Sequence, residues 1–160
     1  DPPFRASSAG LAVGAVLAGA LVARAPAARA GVLLDDWQRG RCPVCGGRPD
    51  LSTLDETRTR RLVCARCDTA WPYPRAGCPF CDAGDPRYYA SLDERYRLYV
   101  CPACHGYLKQ VQLADSLPVR SPLGLRLLLV GLDLAAAAAG YGWEPATPHP
   151  PAPGRCSPPA

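Results

Sequence analysis

Eight of the nine cysteines in this 160-residue chain fall into four C-x-x-C pairs: Cys42/Cys45, Cys64/Cys67, Cys78/Cys81 and Cys101/Cys104. Residues 46–63 separate the first pair from the second, and residues 82–100 separate the third from the fourth, whereas only residues 68–77 lie between pairs two and three. A C-x-x-C pair followed after some 15 to 20 residues by another is a metal-site spacing. The two-residue gap lets one tight turn aim two thiolates at an ion, and a hairpin brings the second turn back. Four sulfurs suit a tetrahedral, thiophilic ion, zinc or iron, so two metal ions per chain are expected. Proline after the first cysteine in "CPVC", "CPFC" and "CPAC" fixes one backbone angle of the turn.

The segments inside each four-cysteine set read as hairpins. "RYYASLDERYRLYV" has a return limb in which Tyr96, Leu98 and Val100 alternate with Arg95, Arg97 and Tyr99, the period of a half-buried strand. "LSTLDETRTRRLV" is its counterpart, and Leu-Asp-Glu recurs at Leu54–Glu56 and Leu92–Glu94. One ribbon repeated in tandem predicts linear grouping: Cys42, Cys45, Cys64 and Cys67 at one site, Cys78, Cys81, Cys101 and Cys104 at the other. The rival is a cross-brace joining pair one with three and two with four.

Other readings of the cysteines fare worse. "CPACH" has the C-x-x-C-H form of c-type haem attachment, but haem there would strand Cys78 and Cys81, so His105 is expected to be a turn residue and not a ligand. A thioredoxin-type dithiol calls for one C-x-x-C beside a βαβ pattern, and thiolates held by metal point to a reducing compartment, the cytoplasm.

The flanks are of other composition. Residues 11–23 are thirteen apolar residues, short of the ~20 that span a membrane; a buried, Ala-rich helix ending near Pro26 is the expected form, with a signal-peptide core as its alternative. Residues 121–142 are apolar on nearly every helical face, broken only by Arg126 and Asp133, and predict a helix packed on the rest of the protein or on a partner. The remaining 144–160 are Pro-rich, are predicted to be disordered, and carry Cys156 as an incidental thiol. The absence of Met reads as a fragment lacking its natural N-terminus, and all but Lys109 of the 18 basic residues are Arg. A net charge of +4 is too small to imply nucleic-acid binding. As an enzyme, the chain offers no acid–base pair, no phosphate loop and no nucleophile outside the cysteine sets. Trp71 and Arg75 in "CDTAWPYPRAGC" either form a surface beside the metal turns or, in the case of Trp71, pack between the ribbons.

"CPVCGGRP", "LVCARCDTAWPYPRAGCPFC" and "YVCPACHGYLK", with "GLDLAAAAAGYG" after them, resemble the formate dehydrogenase accessory protein family of the FdhE type over residues 40–142. Asp68 and Asp82 depart from the family's pattern, standing where a turn glycine is expected. The resemblance implies a cytoplasmic maturation factor that binds the catalytic subunit of respiratory formate dehydrogenase before export, with rubredoxin-like sites that favour iron. It also suggests Trp71, Arg75, Tyr107 and Lys109 as partner-binding residues, since metal binding does not account for them. A zinc-ribbon nucleic-acid binder and a small rubredoxin-like electron carrier are the alternatives. The expected fold is a small α+β protein of tandem four-cysteine ribbons with flanking helices and a disordered tail. Its expected divisions are 1–38, a remnant of a helical N-terminal domain; 39–75 and 76–112, the ribbons; 113–143, the C-terminal helical region; and 144–160, the tail.

Overall fold

The computed structural model describes residues 8–75, 77–82, 87–113 and 119–142. The Pro-rich end with Cys156 lies outside the described residues. Strands β1 (Pro49–Leu54) and β2 (Arg60–Cys64) form the first predicted hairpin, and β3 (Ala70–Pro72) pairs back on β2. Strands β4 (Arg87–Asp93) and β5 (Tyr96–Val100) form the second, followed by β6 (Tyr107–Gln112). Each half is thus a three-stranded antiparallel meander, and β6 begins 37 positions after β3 (70 to 107).

The meanders are not separate beads. β1 pairs in parallel with β6, Leu51 opposite Lys109 through Leu54 opposite Gln112, which joins all six strands in the order β3-β2-β1-β6-β5-β4. One face of this sheet presents Leu51, Val63, Leu98, Val100 and Val111, the alternate positions of their strands. Leu125, Leu129, Leu132 and Ala136 cover it. The opposite face carries Leu62, Trp71 and Leu108, which pack with the cysteines of the first set and with Ala25 and Leu21 of the N-terminal helix.

The apolar stretch after residue 120 forms two short helices, α2 (Pro122–Leu128) and α3 (Val130–Ala138). Ser121 caps α2 by accepting from the Gly124 amide, with proline in the first turn, and Gly140 (φ 81°) follows α3 in the left-handed conformation that glycine takes at little cost. One stripe of the pair is buried, while Leu123, Leu127, Leu134 and Val130 are exposed.

The N-terminal helix α1 (Ser8–Arg29) departs from expectation in two ways. It runs past Pro26, because a proline removes one backbone hydrogen bond without forbidding the turn that follows it. It is also mostly exposed: Val16 and Leu17 stand 72% and 57% in solvent, and of its described side chains only Ala25 is buried. Its residues Ala12–Arg29 are long and apolar enough to cross a membrane by length and composition. The thirteen-residue count fell short because the helix continues through Arg24 and Arg29.

Candidate metal centres

Each C-x-x-C pair sits in the same turn. The amide four positions after the pair's first cysteine donates to that cysteine's carbonyl: Gly46 to Cys42 (3.0 Å), Asp68 to Cys64 (3.2 Å), Asp82 to Cys78 (2.9 Å) and His105 to Cys101 (2.8 Å). All four donors are left-handed, with φ of 67°, 57°, 55° and 55°. Asp68 and Asp82 therefore take the glycine conformation, which aspartate tolerates better than most residues. His105 is the fourth member of the set, held by the turn and stacked on Tyr141 at 5.7 Å.

The turns converge in two clusters of linear grouping, and within each the four Sγ atoms lie within 4.8 Å of one another. Cys42 approaches Cys67 at 3.6 Å and Cys45 approaches Cys64 at 3.4 Å; Cys78 approaches Cys104 at 3.8 Å and Cys81 approaches Cys101 at 3.7 Å. A tetrahedral ion with bonds of ~2.3 Å sets its sulfurs roughly 3.8 Å apart, so both clusters fit such an ion. Amides of Val44 and Arg66 point at Cys42 and Cys64 (3.4 Å each), and that of Phe80 at Cys78 (3.5 Å), donors that favour thiolate over thiol. Gly47 is required beside the first cluster, since a Cβ there would come within 2.9 Å of the Cys64 sulfur.

The thiols are strongly differentiated without an ion. A hydrogen bond from Cys64, aided by the amides of Cys45 and Val44, holds Cys42 down to about 5 against the opposing effect of burial. Giving that hydrogen bond, and then burial, push Cys64 up. Burial raises Cys45 to about 11 and Cys104 to about 12, and raises Cys78 as well. Burial opposes ionisation of Cys101 too, but the amides of Cys104 and Ala103 and the neighbouring thiols outweigh it and lower Cys101. Arg41 is lowered by burial and by the nearness of Arg48 and Arg66.

The helices clamp the turns from behind. Arg126 of α2 donates to both oxygens of Asp50 (2.7 and 3.1 Å), to Asp68 (2.7 Å) and to the Cys64 carbonyl (2.9 Å), so it grips the second turn of the first cluster. Asp133 of α3 accepts from Lys109 and from the Tyr107 hydroxyl, both at 2.8 Å, just beyond the last turn of the second cluster. The two charges interrupting the apolar stretch 121–142 were thus the visible signal of its attachment points, although nothing local named their partners.

The four residues of the expected contact surface differ in burial. Trp71 is fully buried, with its Nε1 donating to the Arg39 carbonyl (2.8 Å), and it belongs to the apolar cluster that includes Leu62, Leu108 and the first set's cysteines. Lys109 is 4% exposed, because it occupies an inward position of β6 under Asp133. Tyr107 is half-buried and Arg75 is exposed. Of the four, only Arg75 and the rim of Tyr107 can meet another molecule without rearrangement.

No family model matches the sequence. A protein named as an FdhE homolog from Haemophilus ducreyi is 36% identical over 110 residues, which cover 65% of this chain and 36% of that protein. Another from Pseudomonas aeruginosa is 31% identical over 123 residues, covering 69% of this chain and 40% of its own length. The crystal structure of the FdhE protein from Pseudomonas aeruginosa superposes with a TM-score of 0.67 at 29% identity, over 81% of this chain and 46% of that one. The chain therefore spans less than half the length of each of these relatives.

Proposed function

Because this chain is homologous to the FdhE proteins over about two thirds of its length, we propose that it serves as a cytoplasmic accessory factor of formate dehydrogenase. In this reading it binds the catalytic subunit of that enzyme before export, without itself catalysing a reaction. The observation that carries the proposal is the pair of equivalent four-thiol clusters on one sheet, lying within the part of the chain that matches the FdhE crystal structure. Cys42, Cys45, Cys64 and Cys67 hold one metal ion, and Cys78, Cys81, Cys101 and Cys104 hold the other. The family resemblance favours iron, and the donor set accepts zinc equally well. Bound metal keeps the turns in place, and client contact falls on the accessible Arg75 and the half-buried Tyr107, with Trp71 and Lys109 buried on opposite faces of the sheet.

Two measurements test this. Metal analysis of anaerobically purified protein should give two ions per chain. The tagged chain should co-purify with the formate dehydrogenase catalytic subunit, and deleting its gene should remove formate-oxidising activity. Retention of that activity in the deletion strain would refute the role.

A further inference from the structure

A second feature lies beside the clusters. A pocket of about 260 Å³ opens between the β1–β2 turn and the link after β3, lined by Gln38, Arg58, Arg60 and Arg75 over walls of Tyr73 and prolines. Arg58 and Arg75 are exposed at its rim, while Arg60 is 5% exposed. Arg60 lies over the Tyr73 ring at 5.7 Å and donates through Nη1 to the carbonyls of Pro74 and Arg75, both at 3.3 Å. Its buried Nε has no hydrogen-bond partner among the described residues. None of the three arginines forms an ion pair with a carboxylate among those residues, in contrast to Arg126 with its two aspartates. A guanidinium buried without a counter-charge and with an unmet donor is costly unless something supplies the anion.

We propose that this pocket binds carboxylate side chains of an acidic protein segment. Guanidinium forks match the planar, two-oxygen geometry of carboxylates. The volume lies below the ~300–1,000 Å³ of clefts that hold drug-sized ligands, and it suits the tips of one or two side chains entering from a longer chain. A nucleic-acid strand finds no stacking platform here, since the one aromatic wall, Tyr73, is 8% exposed. As an account of how a client is recognised, this rests on the accessory role proposed above; as a binding site, it rests on the pocket alone.

The test is calorimetric titration of the metal-loaded chain with a hexaglutamate peptide and, in parallel, a short single-stranded oligonucleotide at low salt. Arg58→Glu with Arg75→Glu, both at exposed positions, should keep both metals and weaken hexaglutamate binding by about tenfold or more. Arg24→Glu with Arg29→Glu makes the same change in net charge on α1 and should shift it by less than about twofold. Arg60→Lys keeps the charge but loses the fork, and should weaken binding by about threefold or more. Absence of hexaglutamate binding, equal losses in the two charge-reversal variants, or tighter oligonucleotide binding lost with Arg58 and Arg75 would each overturn the proposal. In cells lacking the gene, restoration of formate-oxidising activity by Arg58→Glu/Arg75→Glu would sever the pocket from client recognition and leave the accessory role standing. No loss of activity on deletion would remove the accessory role, with the titrations still deciding the pocket.

Discussion

Gly47 shows how tightly single residues are bound to the first cluster. A methyl group there meets the Cys64 sulfur at 2.9 Å and the Cys45 sulfur at 3.2 Å, and neither sulfur can retreat while it shares an ion. Gly47→Ala should therefore cost one metal equivalent, with the second cluster still loaded; elemental analysis showing two ions per chain would contradict this. The thiols set the response to pH. Cys45, Cys64, Cys78 and Cys104 have raised pKa values without metal, for the reasons of burial and hydrogen bonding given above, so they are protonated at neutral pH and release protons as an ion binds. The sign follows: lowering pH favours the protonated apo form, and metal retention should weaken as pH falls through neutrality. Loading at pH 7 in buffers of different ionisation enthalpy should register net proton release. Zero release would mean that the thiols are already ionised.

Among the elements, α3 and β6 depend on one ion pair. Lys109 faces the apolar side of the sheet, where Leu51 and Leu98 flank it in register, and Asp133 reaches down to neutralise it. Removing one partner of a buried pair leaves an uncompensated charge and costs about 3 kcal/mol or more. Asp133→Ala should lower stability by that order. Asp133→Ala combined with Lys109→Met should recover much of the loss, since an apolar side chain suits this face. Chemical denaturation of both variants checks the point, and equal instability of the single and double variants would show that the pair is not the source. Arg126 belongs to the same logic at the first cluster, since its removal would leave Asp50, Asp68 and the Cys64 carbonyl without their guanidinium partner.

At the scale of the whole molecule, the parallel pairing of β1 with β6 makes the two clusters members of one sheet. Each cluster draws together two turns that lead into strands, so an ion held there would tie strand ends that the other half also uses. Cys64→Ser should thus empty the first site and lower the melting temperature of the entire chain in a single transition, as a cooperative unit melts. A calorimetric trace with two transitions, one unchanged from the parent protein, would show that the ribbons are independent. One buried cluster holding Leu62 and Trp71 of the first meander and Leu108 of the second supports the cooperative outcome.

The sequence by itself determined whatever depends on residues near one another in the chain. Two-residue cysteine gaps fixed the turns, the lengths 46–63 and 82–100 fixed the hairpins, and alternation in Tyr96–Val100 fixed which side of β5 is buried. Together these made the cysteine grouping and the tandem plan legible. The tertiary structure alone decided how the halves meet, since pairing Leu51 with Lys109 joins positions far apart that carry no local signature. Lys109 and Trp71 are buried in the assembled sheet. The tertiary structure also left α1 exposed along most of its length and set Arg60 and Arg75 around one pocket, because burial follows from which faces come together, and no window of sequence contains both faces.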